Sequence, residues 1–316
     1  MPKVQSNGIT LHYESFGEGE PLVLIMGIGG QMIQWDEDFC RALSTQGFRV
    51  IRFDNRDVGE SEVLDRLGTP NFNLAIVRRV LRQRIDAPYT LDDMADDTVG
   101  LLDALGISSA HLVGMSLGGM IAQCVALRHP QRVRSLCSIM SAPGDFWAGL
   151  PLPKALSALT HRSEARGEQS AIDYQLNLFR VVSASPHRTP EARLRELAAL
   201  HYQRGVHPRG FARQFTAILA SKGRLRRLDR VRAPTLVIHG ERDPLILHWA
   251  GRLVAARIPG ARLEVIENMG HDLGPTLWPH VIDAITDNAQ RKIPSNARAM
   301  GILRALRQRP IEVSVR

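Results

Sequence analysis

The sequence predicts an α/β fold, a mostly parallel central sheet with helices on both faces and a helical lid insertion. Three observations lead there. Runs at 21–26, 48–53, 110–113, 133–141, 233–240 and 262–266 have the character of strands buried on both faces. One of them passes directly into Gly114-Met115-Ser116-Leu117-Gly118-Gly119 and a helix-like run, 120–127, giving strand, sharp turn and helix in that order. The α/β rhythm stops at Ala142-Pro143-Gly144 and resumes near 233, with amphipathic runs near 152–165, 168–183, 190–203 and 209–221 between. A chain of 316 residues accommodates one such domain with an insertion. We expect a core in two parts, 1–142 and 234–288, a helical cap over 143–233 and a basic extension over 289–316.

Taken in order, Ile9, Leu11 and Tyr13 alternate with Thr10, His12 and Glu14, and Asn7-Gly8 is a strong turn signal, so a hairpin opens the chain. Strand 21–26 ends in Gly27-Ile28-Gly29-Gly30. A dinucleotide-binding loop would need a third glycine where Met32 stands, so that pattern fails. A helix-like run at 38–46, closed by Gly47, leads to strand 48–53 and then to Asp54-Asn55-Arg56-Asp57-Val58-Gly59-Glu60-Ser61, read as a structural loop tied by local hydrogen bonds. Residues 62–89 are polar and irregular, with a short helix expected around 78–84 beside the site entrance. Thr90 and Asp93 then cap a helix whose core stripe is Leu91, Met94, Ala95, Thr98, Leu101, Leu102 and Leu105.

A serine at the tip of so tight a turn has a strained backbone, and Gly114 and Gly118 leave room for it. The following helix directs its N-terminal amides at the serine, where negative charge would develop. Downstream, Gly240-Glu241-Arg242-Asp243-Pro244 and Glu267-Asn268-Met269-Gly270-His271-Asp272 each follow a buried strand, the sheet end where chemistry gathers. Ser116, Asp243 and His271 thus form a candidate triad in the order Ser, acid, His. Glu267 and Asp57 compete for the acid role. His111 and His239 lie within apolar strands and read as satisfied core histidines. Met26, Met115, Trp147 and Leu245 are expected at the substrate pocket, with Met269 beside the first two.

The Ile25-Met26-Gly27 loop, Arg52-Phe53-Asp54-Asn55-Arg56-Asp57 and Gly114-Met115-Ser116-Leu117-Gly118-Gly119-Met120 together resemble the α/β-hydrolase superfamily over about residues 4–288. They look most like the esterases grouped with aclacinomycin methylesterase. That resemblance implies a serine carboxylic-ester hydrolase without metal or cofactor, but not the anthracycline substrate. It also implies an oxyanion hole from two backbone amides, assigned to Ile28 and Leu117; the family's usual histidine before the glycine is Met26 here. A small or medium, mostly apolar ester is the expected substrate. Two alternatives stay open: the same triad used for C–C bond hydrolysis or perhydrolysis, and a non-catalytic binding protein on the same fold.

Composition narrows the partners. Hydrophobic residues make up 44% and charged residues 23%, and no run reaches the length of a membrane span. The start lacks the apolar core of a secretory signal, and Cys40, Cys124 and Cys137 read as reduced, buried thiols, so the expected location is cytoplasmic. The net charge of +8 is uneven: 143–233 carries 16 Lys/Arg against 7 Asp/Glu, and 289–316 carries 7 against 1. One reading is attraction to an anionic surface or nucleic acid; without a nucleic-acid motif, the expected reading is a solvated arginine-rich helical face. Ala299, Met300, Ile302, Leu303 and Leu306 among arginines suggest either a short basic helix or a frayed tail; a homo-oligomer would form through the lid or this extension.

Overall fold

The opening hairpin pairs β1 (Lys3–Ser6) with β2 (Ile9–Phe16) around Asn7-Gly8, whose φ angles of 48° and 77° suit the tight turn. The computed structural model describes residues 2–145, 147–160, 167–184 and 186–291. Its sheet continues with β3 (Glu20–Ile25), β4 (Phe48–Phe53), β5 (Ala110–Met115), β6 (Val133–Ile139), β7 (Thr235–Gly240) and β8 (Arg262–Ile266). The eight strands lie in the order β1-β2-β4-β3-β5-β6-β7-β8; the pairs made by β2 are antiparallel and all others parallel.

Alternation along the strands divides the core. Val23, Ile25, Ile51, Phe53, Leu112, Leu136 and Val237 point to one face; Leu22, Leu24, Val50, Val113, Cys137, Leu236 and Ile238 point to the other. The helices are α1 (Glu37–Ser44), α2 (Phe72–Val80), α3 (Leu91–Ala104), α4 (Leu117–Arg128), α5 (Pro153–Thr160), α6 (Glu168–Val182), α7 (Glu191–Gln203), α8 (Pro208–Ala220), α9 (Trp249–Arg257) and α10 (Trp278–Gln290). Helices α3, α4 and α9 cover the first face, α1 and α10 the second. The Thr90–Asp93 capping box starts α3 as expected. The short helix expected around 78–84 lies earlier, because the Asn71 side chain accepts from Leu74 N and caps the start of α2.

Helices α5 to α8 all fall between β6 and β7, so the insertion is helical. Most of its described basic residues are exposed, as expected of a solvated basic face, but three arginines depart from it. Arg213 is fully buried in α8 and clasps Asp57 with two bonds, of 2.8 and 2.7 Å. Arg204, just past α7, pairs with buried Asp54 and with Glu60. Arg224 is also buried, donating to Gln123, Ser221 and the Ala142 carbonyl. The Asp54–Ser61 loop is thus the clasp between core and insertion: Asp54 also accepts from Met32 N and Glu60 N, and Ser61 Oγ donates to Asp54 O. Burial raises the Asp54 carboxyl despite Arg204. Burial acts the same way on Asp57, but Arg213, Leu64 N and Tyr89 outweigh it and hold that carboxyl below its ordinary value.

Among the described residues no helix is long and apolar enough to cross a membrane. Cys40, Cys124 and Cys137 are free and buried, and burial pushes the Cys40 thiol up to about 12. The hydrophobic run Ala299–Leu306 and most of the basic extension lie outside the described residues.

Candidate active site

Four loops at the carboxyl end of the sheet converge on one cavity of about 150 Å³. Ser116 sits between β5 and α4 at φ 55° and ψ −118°, a conformation costing a non-glycine residue about 1–3 kcal/mol. The neighbourhood fixes it: Ser116 N donates to Ile139 O at 2.9 Å, and Ser141 Oγ donates to Ser116 O at 2.7 Å. The two glycines answer to close approach. A Cβ on Gly114 would stand 2.2 Å from Gly118 O, and one on Gly118 would stand 2.0 Å from Ile25 O at the end of β3.

Asp243, after β7, is buried with its two oxygens assigned differently. Oδ1 accepts from the amides of Leu245 at 2.8 Å and Ile246 at 2.9 Å. Oδ2 accepts from His271 Nδ1 at 2.7 Å, and His239 Nε2 lies 3.3 Å away. Burial would raise this carboxyl, but the His271 and His239 rings hold it well below its ordinary value. An ionised acceptor at Nδ1 leaves the His271 Nε2 lone pair free. His271 and Ser116 border the same cavity, without a hydrogen bond between them in this structure. Catalytic hydrogen bonds of this kind commonly tighten only in the complex with substrate. The competing acids are elsewhere: Asp57 is engaged by Arg213, and Glu267 is exposed beside Asn268.

The Gly27–Gly30 loop lies against the serine, with Gly27 placed so that a Cβ there would be 3.2 Å from Ser116 Cβ. Its amides are not equivalent. Gly29 N donates to Gln214 Oε1 at 2.8 Å and Gly30 N to Gly27 O at 3.2 Å, while among the described residues no such bond engages Ile28 N. Leu117 N opens α4 with no carbonyl a turn before it. Gln214, a fully buried residue of α8, also donates to Arg56 O at 2.8 Å, so the insertion holds the glycine loop from beneath.

Met26, Met115 and Leu245 line the cavity. Trp147 does not: it is 52% exposed and stacks on Trp249, ring centroids 5.7 Å apart, because its loop turns outward before α5. Met269 is likewise outside, fully buried in the core beneath β7 and β8. His239 is more than a core histidine. Its Nε2 donates to Ile246 O at 2.7 Å beside Asp243, and its Nδ1 has no hydrogen-bond partner among the described residues, facing Gly251. His111 bonds Ser135 and Glu20 as a satisfied core histidine does.

The opposite wall comes from the insertion and is largely apolar: Leu159, Leu178, Phe179, Val182, Leu194 and Phe211. Sequence reading missed how this wall reaches the histidine loop. His271 N donates to Val182 O at 2.7 Å, and Asp272 accepts from Thr189 N, Thr189 Oγ1 and Ser183 Oγ at 2.8 to 3.1 Å. Burial raises the Asp272 carboxyl despite these bonds. Among the described residues, no group of three or more His, Cys, Asp or Glu could hold a metal ion.

Residues 20–275 match the alpha/beta hydrolase fold family. The chain is 30% identical over 292 residues to rhodomycin D methylesterase DnrP of Streptomyces peucetius, covering 85% of this chain and 91% of that protein. It is 31% identical over 275 residues to 2-hydroxymuconate semialdehyde hydrolase of Pseudomonas sp. strain CF600, covering 84% of each. The enol-lactonase of Burkholderia xenovorans LB400 shares the fold, with a TM-score of 0.70 at 23% identity over 92% of this chain and all of that one. With a parallel sheet, a serine on its strand–helix turn and a family match across most of its length, the chain belongs to the alpha/beta hydrolase family.

Proposed function

We propose that the protein is a serine hydrolase that cleaves a carboxylic ester through an acyl-enzyme, with Ser116, His271 and Asp243 as its triad. Attack requires that the Ser116 hydroxyl lose its proton as the carbon–oxygen bond forms. His271 Nε2 takes that proton and returns it to the departing alcohol; water then repeats the sequence to release the acid. Asp243 holds the ring in the correct tautomer and stabilises the imidazolium. The amides of Ile28 and Leu117 face the oxyanion, each worth on the order of 3 kcal/mol in the transition state. Residues 143–233 act as a cap that excludes water and shapes the acyl or alcohol pocket.

The observation that carries this reading is the 2.7 Å bond from His271 to an Asp243 whose other oxygen is occupied by backbone amides, beside a serine in strained backbone geometry. The similarity to a methylesterase supports an ester as substrate. The similarity to a semialdehyde hydrolase offers C–C bond cleavage as the rival. A muconate substrate carries a carboxylate, and the described cavity lining offers Asp36 and Asp272 but no Lys or Arg to meet it, which favours the uncharged ester. The buried free thiols support a reducing, cytoplasmic location.

The test is hydrolysis of p-nitrophenyl esters by Ser116→Ala. We expect kcat to fall by about 10⁴-fold or more with the melting temperature nearly unchanged. Unchanged turnover would overturn the assignment.

A further inference from the structure

Helix α2 has two apolar faces, and among the described residues only one of them is covered. On the inner face Phe72 packs edge-on against Phe215 of α8, ring centroids 5.9 Å apart, and Ile76 joins a cluster containing Leu159, Phe211 and Leu245. Those three residues also line the cavity, so α2 backs the cavity wall. The outer face carries Leu74, Val77, Val80 and Leu81, between 46% and 60% exposed. A lone exposed leucine is ordinary, but four large aliphatic side chains on one face of a short helix are not.

Charge identifies the partner. Residues 71–85 contain four arginines and no acid. Arg79 turns inward to Gly144 O, while Arg82 and Arg84 are exposed and Arg78 half-exposed beside the aliphatic face. The nearby acid, Asp86, lies within ion-pair distance of both Arg78 and Arg84 and offsets part of this excess. A second copy of this face would bring arginines against arginines, and the basic 289–316 segment would do the same. An apolar face rimmed by arginine fits a surface that is apolar below and anionic above.

We propose that the outer face of α2 docks on anionic lipid, resting the molecule on a membrane surface without crossing it. The docking is independent of the ester reading. If that reading holds, it places the cavity wall beside lipid-dissolved esters.

The test is co-sedimentation of the full chain with vesicles of phosphatidylcholine alone or mixed with phosphatidylglycerol, at two salt concentrations. We expect binding to the anionic vesicles only, weakened by salt. Leu74→Ser/Val77→Ser/Val80→Ser/Leu81→Ser should lower the partition coefficient at least tenfold. Arg82→Gln/Arg84→Gln should also lower it roughly tenfold or more, since each basic residue near such a surface contributes about a factor of five. All six positions are exposed, and circular dichroism melts check that the variants stay folded. Undiminished binding by the serine variant would overturn the proposal and assign binding to another basic segment. Equal binding to both vesicle types would overturn it too. So would a concentration-dependent dimer, seen by sedimentation and abolished in the serine variant, that binds no vesicles.

Discussion

The two walls of the cavity are built on different principles. The core wall is set by backbone: Ser116 in a strained turn, Gly114 and Gly118 where no side chain fits, and amides that hold Asp243. The insertion wall is set by apolar side chains such as Leu178, Phe179 and Leu194, for which other residues of similar size would serve. The difference teaches where each property resides. Under the proposed function, chemistry would belong to the wall whose geometry tolerates few residues, and substrate choice to the wall that tolerates many. The walls are nonetheless joined, through Gln214 under the glycine loop and through Thr189 and Ser183 on Asp272.

The largest effect that sharpens this contrast is expected in the core wall. Asp243→Asn should lower kcat on the order of 10⁴-fold, because an amide favours the wrong imidazole tautomer. The same variant has a pH signature. The folded-state value of Asp243 lies below its unfolded value near 4, so its ionised form stabilises the fold; that contribution is complete above about pH 5 and is lost as pH falls toward the depressed value. The gap in melting temperature between wild type and Asp243→Asn should therefore be widest near neutral pH and narrow progressively as pH falls below about 4.

An intermediate effect is expected where the walls meet. Gln214→Leu removes the acceptor of Gly29 N and frees the glycine loop, so kcat should fall roughly 10- to 100-fold with little change in KM. A loss confined to KM would break the division, showing that α8 acts on substrate binding alone. The smallest effect belongs to the insertion wall. Leu178→Ala should leave kcat on short p-nitrophenyl esters within a few-fold while shifting preference toward longer acyl chains by about tenfold, measured as kcat/KM across a chain-length series. A large kcat loss on every ester would contradict the separation.

Legibility in the sequence follows the same line. The strands, the serine turn, the hairpin and the four helices of the insertion could all be read, because burial on two faces, glycine geometry and helical periodicity leave direct marks. Helices α9 and α10 went unread: the residues of α9 mix polar and apolar without a clean stripe, whereas α10 carries one, through Val281, Ile282 and Ile285, that could have been read. The role of Arg204, Arg213 and Arg224 was invisible because their acceptors, Asp54, Asp57 and Gln123, lie far away along the chain. Gln214 was missed for that reason too, its partner Gly29 lying across the fold; His239 was missed although Asp243 is only four residues on, because the bend of the chain after β7 that brings the two together leaves no mark in the sequence. Trp147 misled because an aromatic residue in a loop before the insertion can turn inward or outward, and stacking on Trp249 turns it outward.

The central claim is that one serine, among all the hydroxyls of the chain, is made reactive by His271. Intact and peptide mass spectrometry after treatment with a fluorophosphonate measures this directly. The account predicts a single adduct, on Ser116, formed by the wild-type protein and lost in His271→Ala. Failure of the wild-type protein to label, or an adduct on Ser116 that forms equally fast without the imidazole, would contradict it.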